Sequence, residues 1–378
     1  MGRRFIKELY MADNKLSVAF IGTGIMGAPI ARHILEAGYP VTVYNRTKDK
    51  ASALLEAGAA WADTAVEAVK GADVVFTMVG YPSDVEELYL AGEGLLTYAK
   101  DGAYLIDLTT SAPELARDVA EAAEVSGRHA FDMPVTGGEQ GAINGTLTGI
   151  IGATERDVAP VRAIIETFTD KLFFFNGPGR GQAAKLCNQI ALAGCMVGMA
   201  DALSLAQQSD LDLDKVRQMI CAGTGASGAM EVLAPKSIVG DYKPGFQVVH
   251  MLKDLGLALQ SAEDKELALP GTDTAFTLFD MLEAIGGGKL GTQAITLLYQ
   301  EEAEAVAAGL DWSLYNAEHE HEDGDGCDCG CGHDHEDEGH DCGCGHDHED
   351  EGHVCTCGHE HGHEHGDHEC CCGGHHEE

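Results

Sequence analysis

"KLSVAFIGTGIMGAPIARHILEAG", residues 15–38, joins two hydrophobic periods in one short stretch. Residues 15–22, with the apolar run Val18–Ile21, read as a buried strand, and residues 28–38 return apolar side chains at helical spacing. Between them lies GTGIMG, with Gly22, Gly24 and Gly27. A tight turn at the first glycine, close backbone approach at the second and close helix–strand packing at the third are what a pyrophosphate-binding turn requires. The same letters also spell an ordinary glycine-rich turn. Placed after a strand and at the head of a helix, they read as a dinucleotide site. Thr23, Ile25 and Met26 complete the loop and are counted with the glycines as cofactor-binding.

Outward from this stretch the pattern repeats. VTVYN (41–45), VVFTMV (74–79), AYLIDLTT (103–110), AFDMPV (130–135), TGIIGA (148–153) and KLFFFNG (171–177) are apolar runs separated by helical spacing. Such a series predicts a largely parallel sheet covered on both faces, with ligands at the carboxyl ends of its strands. The expected architecture over residues 15–178 is therefore a Rossmann-type, doubly wound α/β domain. At the end of the second strand, where an acidic residue would bind the ribose hydroxyls of NAD, the chain reads Asn45, Arg46, Thr47. The missing carboxylate and the guanidinium favour NADP, with NAD as the alternative. Val79, at the end of the third long run, is a further cofactor candidate.

Residues 179–316 read as an all-helical domain. Its first segment, 181–208, has no proline and few charges, and predicts a long buried helix. Lys185 and Asn188 share a face near its start. A lysine there is by itself an ordinary snorkelling side chain. DMPVTGGEQGAINGTL (132–147) offers Thr136, Gly137 and Gly138 as a backbone nest for a carboxylate. DLTTSAPELA (107–116) places Thr109, Thr110 and Ser111 before a helix, where Ser-Ala-Pro-Glu is good N-cap chemistry. In FQVVHMLKDLGLAL (246–259), Lys253 and Asp254 taken alone indicate a solvated helix face.

GTGIMG, DMPVTGGEQGAINGTL, GRGQAAKLCNQ (179–189) and KDLGLAL (253–259), in this order, resemble the β-hydroxyacid dehydrogenases over about residues 16–315. That family includes 3-hydroxyisobutyrate dehydrogenases, tartronate semialdehyde (2-hydroxy-3-oxopropionate) reductases and glyoxylate/succinic semialdehyde reductases. The resemblance implies that Lys185 is the catalytic acid or base and that Asn188 lies beside the substrate. It also implies that Thr110 and Lys253 touch the cofactor, and that Thr110, Ser111, Thr136, Gly137 and Gly138 hold the substrate. A homodimer or homotetramer built through the helical domain is expected on the same ground. Met133 and Thr136 depart mildly from the usual Ala and Ser, and Asp84 stands near where some members carry Asn. The implied reaction is hydride transfer to a carbonyl carbon, with Lys185 stabilising the developing oxyanion and donating the proton. Desolvation should lower its pKa towards neutrality.

The remaining segments have a different composition. Residues 317–378 hold 25 Cys plus His and 21 Asp plus Glu, with no Lys or Arg. Such a segment cannot offset its ordering entropy by burial, so disorder without a ligand is expected. The motif C-x-C-G-H-x-H begins at Cys329, Cys342 and Cys355, thirteen residues apart. It supplies Cys329, Cys331, His333, His335, Cys342, Cys344, His346, His348, Cys355, Cys357, His359 and His361 as candidate ligands for nickel or zinc. The tail is similar to the His/Cys-rich metal-binding tail of the bacterial prolyl isomerase SlyD. An adventitious chelating tail and a metal-handling protein on an enzyme scaffold are the competing readings.

Residues 1–316 carry 41 acidic and 24 basic residues, a net charge of −17, and the whole chain −38. That balance argues against nucleic acid and anionic membranes as partners. Residues 1–14 read as a short disordered extension without a signal-peptide core, and Met11 offers an alternative start. No apolar run reads as membrane-spanning. Cys187, Cys195 and Cys221 form no disulfide framework, so the cytoplasm is the expected location.

Overall fold

The computed structural model describes residues 15–300 and 302–314. Strands β1 (Val18–Ile21), β2 (Val41–Tyr44), β3 (Ala60–Trp61), β4 (Val74–Thr77), β5 (Tyr104–Asp107) and β6 (His129–Asp132) form one sheet. Their order is β3-β2-β1-β4-β5-β6, with every neighbouring pair parallel. Alternate residues along the central strands feed two cores. Val18, Phe20, Val74, Phe76 and Ile106 pack on one face with Ile30, Ala31 and Ile34 of α1 (Gly27–Glu36). Ala19, Ile21, Val75 and Leu105 pack on the other, which explains why these strands read as continuous apolar runs. α2 (Pro82–Leu90) follows β4, and α3 (Pro113–Val125) follows β5. The strand order reverses between β1 and β4, so the loops after those two strands diverge and open a crevice at the carboxyl edge.

The expected doubly wound sheet and helical second domain are present, with four corrections. The edge strand β3 is only two residues long, too short to give a period. The run 130–135 is split: β6 ends the large sheet, and β7 (Val135–Thr136) starts a second one with β8 (Leu147–Ile151) and β9 (Thr169–Phe174). Pro134 follows β6, the edge strand of the large sheet, and its carbonyl accepts the Ile150 N–H of β8 at 3.0 Å; β7 runs antiparallel to β8 while β8 and β9 are parallel. Ser111 does not cap α3, whose N-cap is Ala112 with Pro113 in the first turn.

The fourth correction concerns α5 (Arg180–Gln208); the short α4 (Gly138–Asn144) precedes it. α5 is long, but only one face is buried. Met196, Met199 and Leu203 pack with Met251 and Leu255 of α6 (Val248–Glu263) and with Phe279 and Leu282 of α7 (Pro270–Ala284). Ala183, Cys187, Ala191, Gly194, Cys195 and Gly198 line the exposed face. By length and composition α5 is also long and apolar enough to cross a membrane, contrary to the sequence reading. A core helix passes the same test, and this one forms the spine of the second core. The candidate metal ligands from Cys329 to His361 and the 1–14 extension lie outside the described residues.

Candidate active site

The turn at the end of β1 admits only glycine at two of its positions, Gly22 and Gly27. Gly22 has φ +98°, and a Cβ there would lie 2.1 Å from the Met78 carbonyl oxygen. A Cβ on Gly27 would lie 1.9 Å from the Gly22 oxygen. At Gly24 a Cβ would meet nothing within 4 Å, so the backbone there faces open space. No side chain caps the N-terminus of α1, and the buried Thr23 hydroxyl has no partner among the described residues. Free donors beside an open backbone suit the pyrophosphate of a dinucleotide. Asn45 serves the turn itself: Thr23 N–H donates to its Oδ1 at 3.1 Å, and its Nδ2 donates to the Thr47 carbonyl at 2.8 Å. Arg46 lies 3.2 Å from Asp84 across the mouth of the crevice, with its side chain 78 % exposed. Asp84 also accepts the Tyr81 N–H at 3.0 Å, fixing the start of α2.

Lys185 sits on the second turn of α5 and is 7 % exposed. Its ammonium makes no hydrogen bond or ion pair among the described residues. Burial lowers its pKa to about 8, with Asp254 opposing and Lys253 reinforcing the shift. Asp254, 1 % exposed, accepts from Gln189 Nε2 at 2.7 Å, and its other oxygen lies 2.9 Å from Lys253 Nζ. Lys253 in turn donates to the Thr110 carbonyl at 2.6 Å. Asp254 is therefore buried and Lys253 half-buried rather than on a solvated face, because α6 packs against α5 and the β5 loop. Asn188 is half-buried and donates to Gln189 Oε1 at 2.9 Å.

The loop after β5 is fixed from several directions. Val79 N–H donates to Thr109 Oγ1 at 3.0 Å, and Thr109 N–H donates to Asp107 at 3.1 Å. Ser111 is buried and its N–H donates to Gln182 Oε1 at 2.9 Å. Burial raises the Asp107 carboxyl to about 6, against hydrogen bonds from Thr109 and Thr77 and with help from Asp132. Asp132 is also raised by burial, while the N–H groups of Gly179 and Gln182 hold it down. Thr136 belongs to β7, and Gly137 and Gly138 follow with φ +134° and +63°, conformations that favour glycine.

The structure thus gathers Lys185, Asn188, Thr110, Ser111 and Lys253 around one junction of β5, α5 and α6. Sequence reasoning gave no role to Asp132, Gln182, Gln189 or Asp254. The signal was available in part, since Gln182 and Gln189 fall inside the quoted GRGQAAKLCNQ stretch. Their partners lie up to 73 positions away in the chain and have no local signature.

Residues 17–177 match the family described as the NAD binding domain of 6-phosphogluconate dehydrogenase, and residues 179–299 the NAD-binding of NADP-dependent 3-hydroxyisobutyrate dehydrogenase. The chain is 45 % identical over 285 residues to YkwC, an uncharacterised oxidoreductase of Bacillus subtilis (strain 168), covering 75 % of this chain and 99 % of that one. It is 38 % identical to the 3-hydroxyisobutyrate dehydrogenase of Pseudomonas aeruginosa, covering 70 % and 91 %. The chain belongs to the β-hydroxyacid dehydrogenase family. Mycobacterium tuberculosis 3-hydroxyisobutyrate dehydrogenase, solved with L-serine, superposes with TM-score 0.70 at 30 % identity, covering 76 % of this chain and all of that one. This β-hydroxyacid dehydrogenase is accordingly an NAD(P)-dependent oxidoreductase with a nicotinamide cofactor.

Proposed function

We propose that the protein is an NADP-preferring dehydrogenase or reductase interconverting a small carboxylate-bearing semialdehyde and its hydroxy acid, with Lys185 as the acid and base. The 3-hydroxyisobutyrate and tartronate semialdehyde class is favoured, and glyoxylate or succinic semialdehyde is the alternative. The observation that carries it is a desolvated lysine ammonium without a bonded partner among the described residues, beside the loop that holds Thr110. In the reductive direction that ammonium stabilises the oxyanion and gives up its proton; in the oxidative direction the free amine accepts one. Asn188 orients the reacting group. The N–H groups at Thr136, Gly137 and Gly138 receive the substrate carboxylate, and Ser111 and Thr110 also contact the substrate.

The residues proposed to hold the cofactor are Gly22–Gly27, Asn45, Arg46, Thr47, Val79, Thr110 and Lys253. The nicotinamide, when bound, supplies the hydride. Asn45 acts by bracing the turn, and Arg46 meets the 2′-phosphate; its pair with Asp84 is exposed enough to be exchanged for one. The exposed small-residue face of α5 fits a homodimer or homotetramer contact, which sedimentation would measure. The test of function is consumption of NADPH and NADH with a panel of small semialdehydes and oxidation of the matching hydroxy acids. No turnover with any of them would remove the reading.

The repeated C-x-C-G-H-x-H motif favours a second, additional role: the tail binds nickel or zinc without taking part in hydride transfer. Thiols and imidazoles must lose protons first, so uptake should weaken as pH falls. Metal counting after gel filtration, with and without residues 317–378, tests it.

A further inference from the structure

Gln182 is 0 % exposed and lies three residues before Lys185, on the same face of α5. Its carboxamide reaches out of the helix. Nε2 donates to the Thr109 carbonyl at 2.7 Å, and Oε1 accepts the Ser111 N–H at 2.9 Å. The two bonds bracket Thr110, whose own carbonyl accepts from Lys253. The main-chain N–H of Gln182 donates to Asp132 Oδ2 at 2.7 Å, and that of Gly179 to Oδ1 at 2.8 Å. Asp132 thereby caps the start of α5 from the end of β6, which also suits the positive end of a helix.

The fit leaves no slack. A Cβ on Gly181 would lie 2.7 Å from Asp132 Oδ2, and one on Gly152 would lie 2.0 Å from Oδ1. Asp132 therefore sets where α5 begins, and Gln182 sets how far the Thr109–Ser111 loop lies from that helix. Neither contact includes Lys185, yet both fix the frame on which it is carried.

We propose that Gln182 is a positioning residue for hydride transfer: it fixes the register between the lysine-bearing helix and the Thr109–Ser111 loop at the cofactor. This rests on the proposed role of Lys185. A misplacement of about 1 Å at reacting atoms can cost on the order of a hundredfold in rate. Gln182→Met keeps the volume and removes both bonds. Its kcat should fall at least about tenfold with NADPH KM within about threefold, and the isotope effect with 4-deuterated NADPH should rise.

Gln182→Glu supplies the control. Its protonated form donates O–H to the Thr109 carbonyl and accepts from Ser111 N–H, as the amide does; its ionised form has lost the donor. The ratio of its kcat to that of the wild type should be high at acid pH and fall as pH rises, while the ratio for Gln182→Met stays flat. If Gln182→Met does not fold, the Gln182→Glu ratio decides alone. Wild-type kcat in Gln182→Met, or equal flat losses in both variants, overturns the assignment. Amide exchange at Ser111 keeps this separate from the choice of substrate. The bracket predicts faster exchange in Gln182→Met even if no substrate in the panel is turned over, and unchanged exchange there refutes it.

Discussion

At the residue scale the cost of Lys185 and its proposed use have one origin. An ammonium in a desolvated site is destabilised, so its pKa drops from 10.5 to about 8. The unfolded chain then binds the proton more tightly than the folded one. The penalty is fully present below pH 8 and disappears as pH rises to 10.5. Lys185→Met should therefore be more stable than wild type at pH 7, by up to about 3 kcal/mol, with the gap closing towards pH 10.5. The same variant should lose at least about a hundredfold in turnover while keeping cofactor affinity near wild type. Denaturant melts across pH, with steady-state rates, check both. The reductive rate should decline above pH 8, where the acid form is lost, and the oxidative rate should rise to a plateau there. Asp254 opposes the shift, so Asp254→Asn should move both pH profiles to lower pH. An unmoved profile would detach Asp254 from the lysine.

At the scale of elements, two contacts can be tested by small changes. A methyl group at Gly152 would collide with the Asp132 carboxylate that caps α5. Gly152→Ala should destabilise the protein by about 1–3 kcal/mol and lower kcat in the folded fraction, measured by melting and active-site titration. The other contact joins the end of β2 to α2. Asp84 pairs with Arg46 and would compete for it with the 2′-phosphate of the proposed NADP. Arg46→Ala should weaken NADPH selectively, and Asp84→Asn should tighten NADPH relative to NADH. Fluorescence titration with the two cofactors checks this; equal effects on both would withdraw Arg46 from phosphate binding. The sequence showed Arg46 after a strand, but its pairing with Asp84 follows from how β2 and α2 are brought together at the crevice.

At the scale of the whole molecule, the matched families end at Tyr299, well before the Cys/His-rich segment. A chain ending at Asn316 should fold and keep the kcat and KM of the full chain in metal-free buffer, and lose high-capacity nickel or zinc binding. A lysine acid with a nicotinamide needs no metal for proton or hydride transfer. Loss of metal-free activity on truncation, or a metal requirement in the full chain, would contradict a purely appended tail. Rates and bound-metal counts on both chains decide it.

The sequence by itself determined the long strands of the sheet, its glycine turn, the long helix and the lysine on it. Each is written in local periodicity and in glycines that no other residue can replace: at Gly22 and Gly27 a Cβ would strike backbone oxygen. Only the tertiary structure decided the partition into two sheets, the single buried face of α5, and the ties holding the helix that carries Lys185 to the loop after β5, to the end of β6 and to α6. The ties made by Asp132, Gln182, Gln189 and Asp254 join residues 47 to 73 positions apart. A buried amide or carboxylate looks in sequence like any surface one, and its meaning depends on which distant donors the fold brings to it.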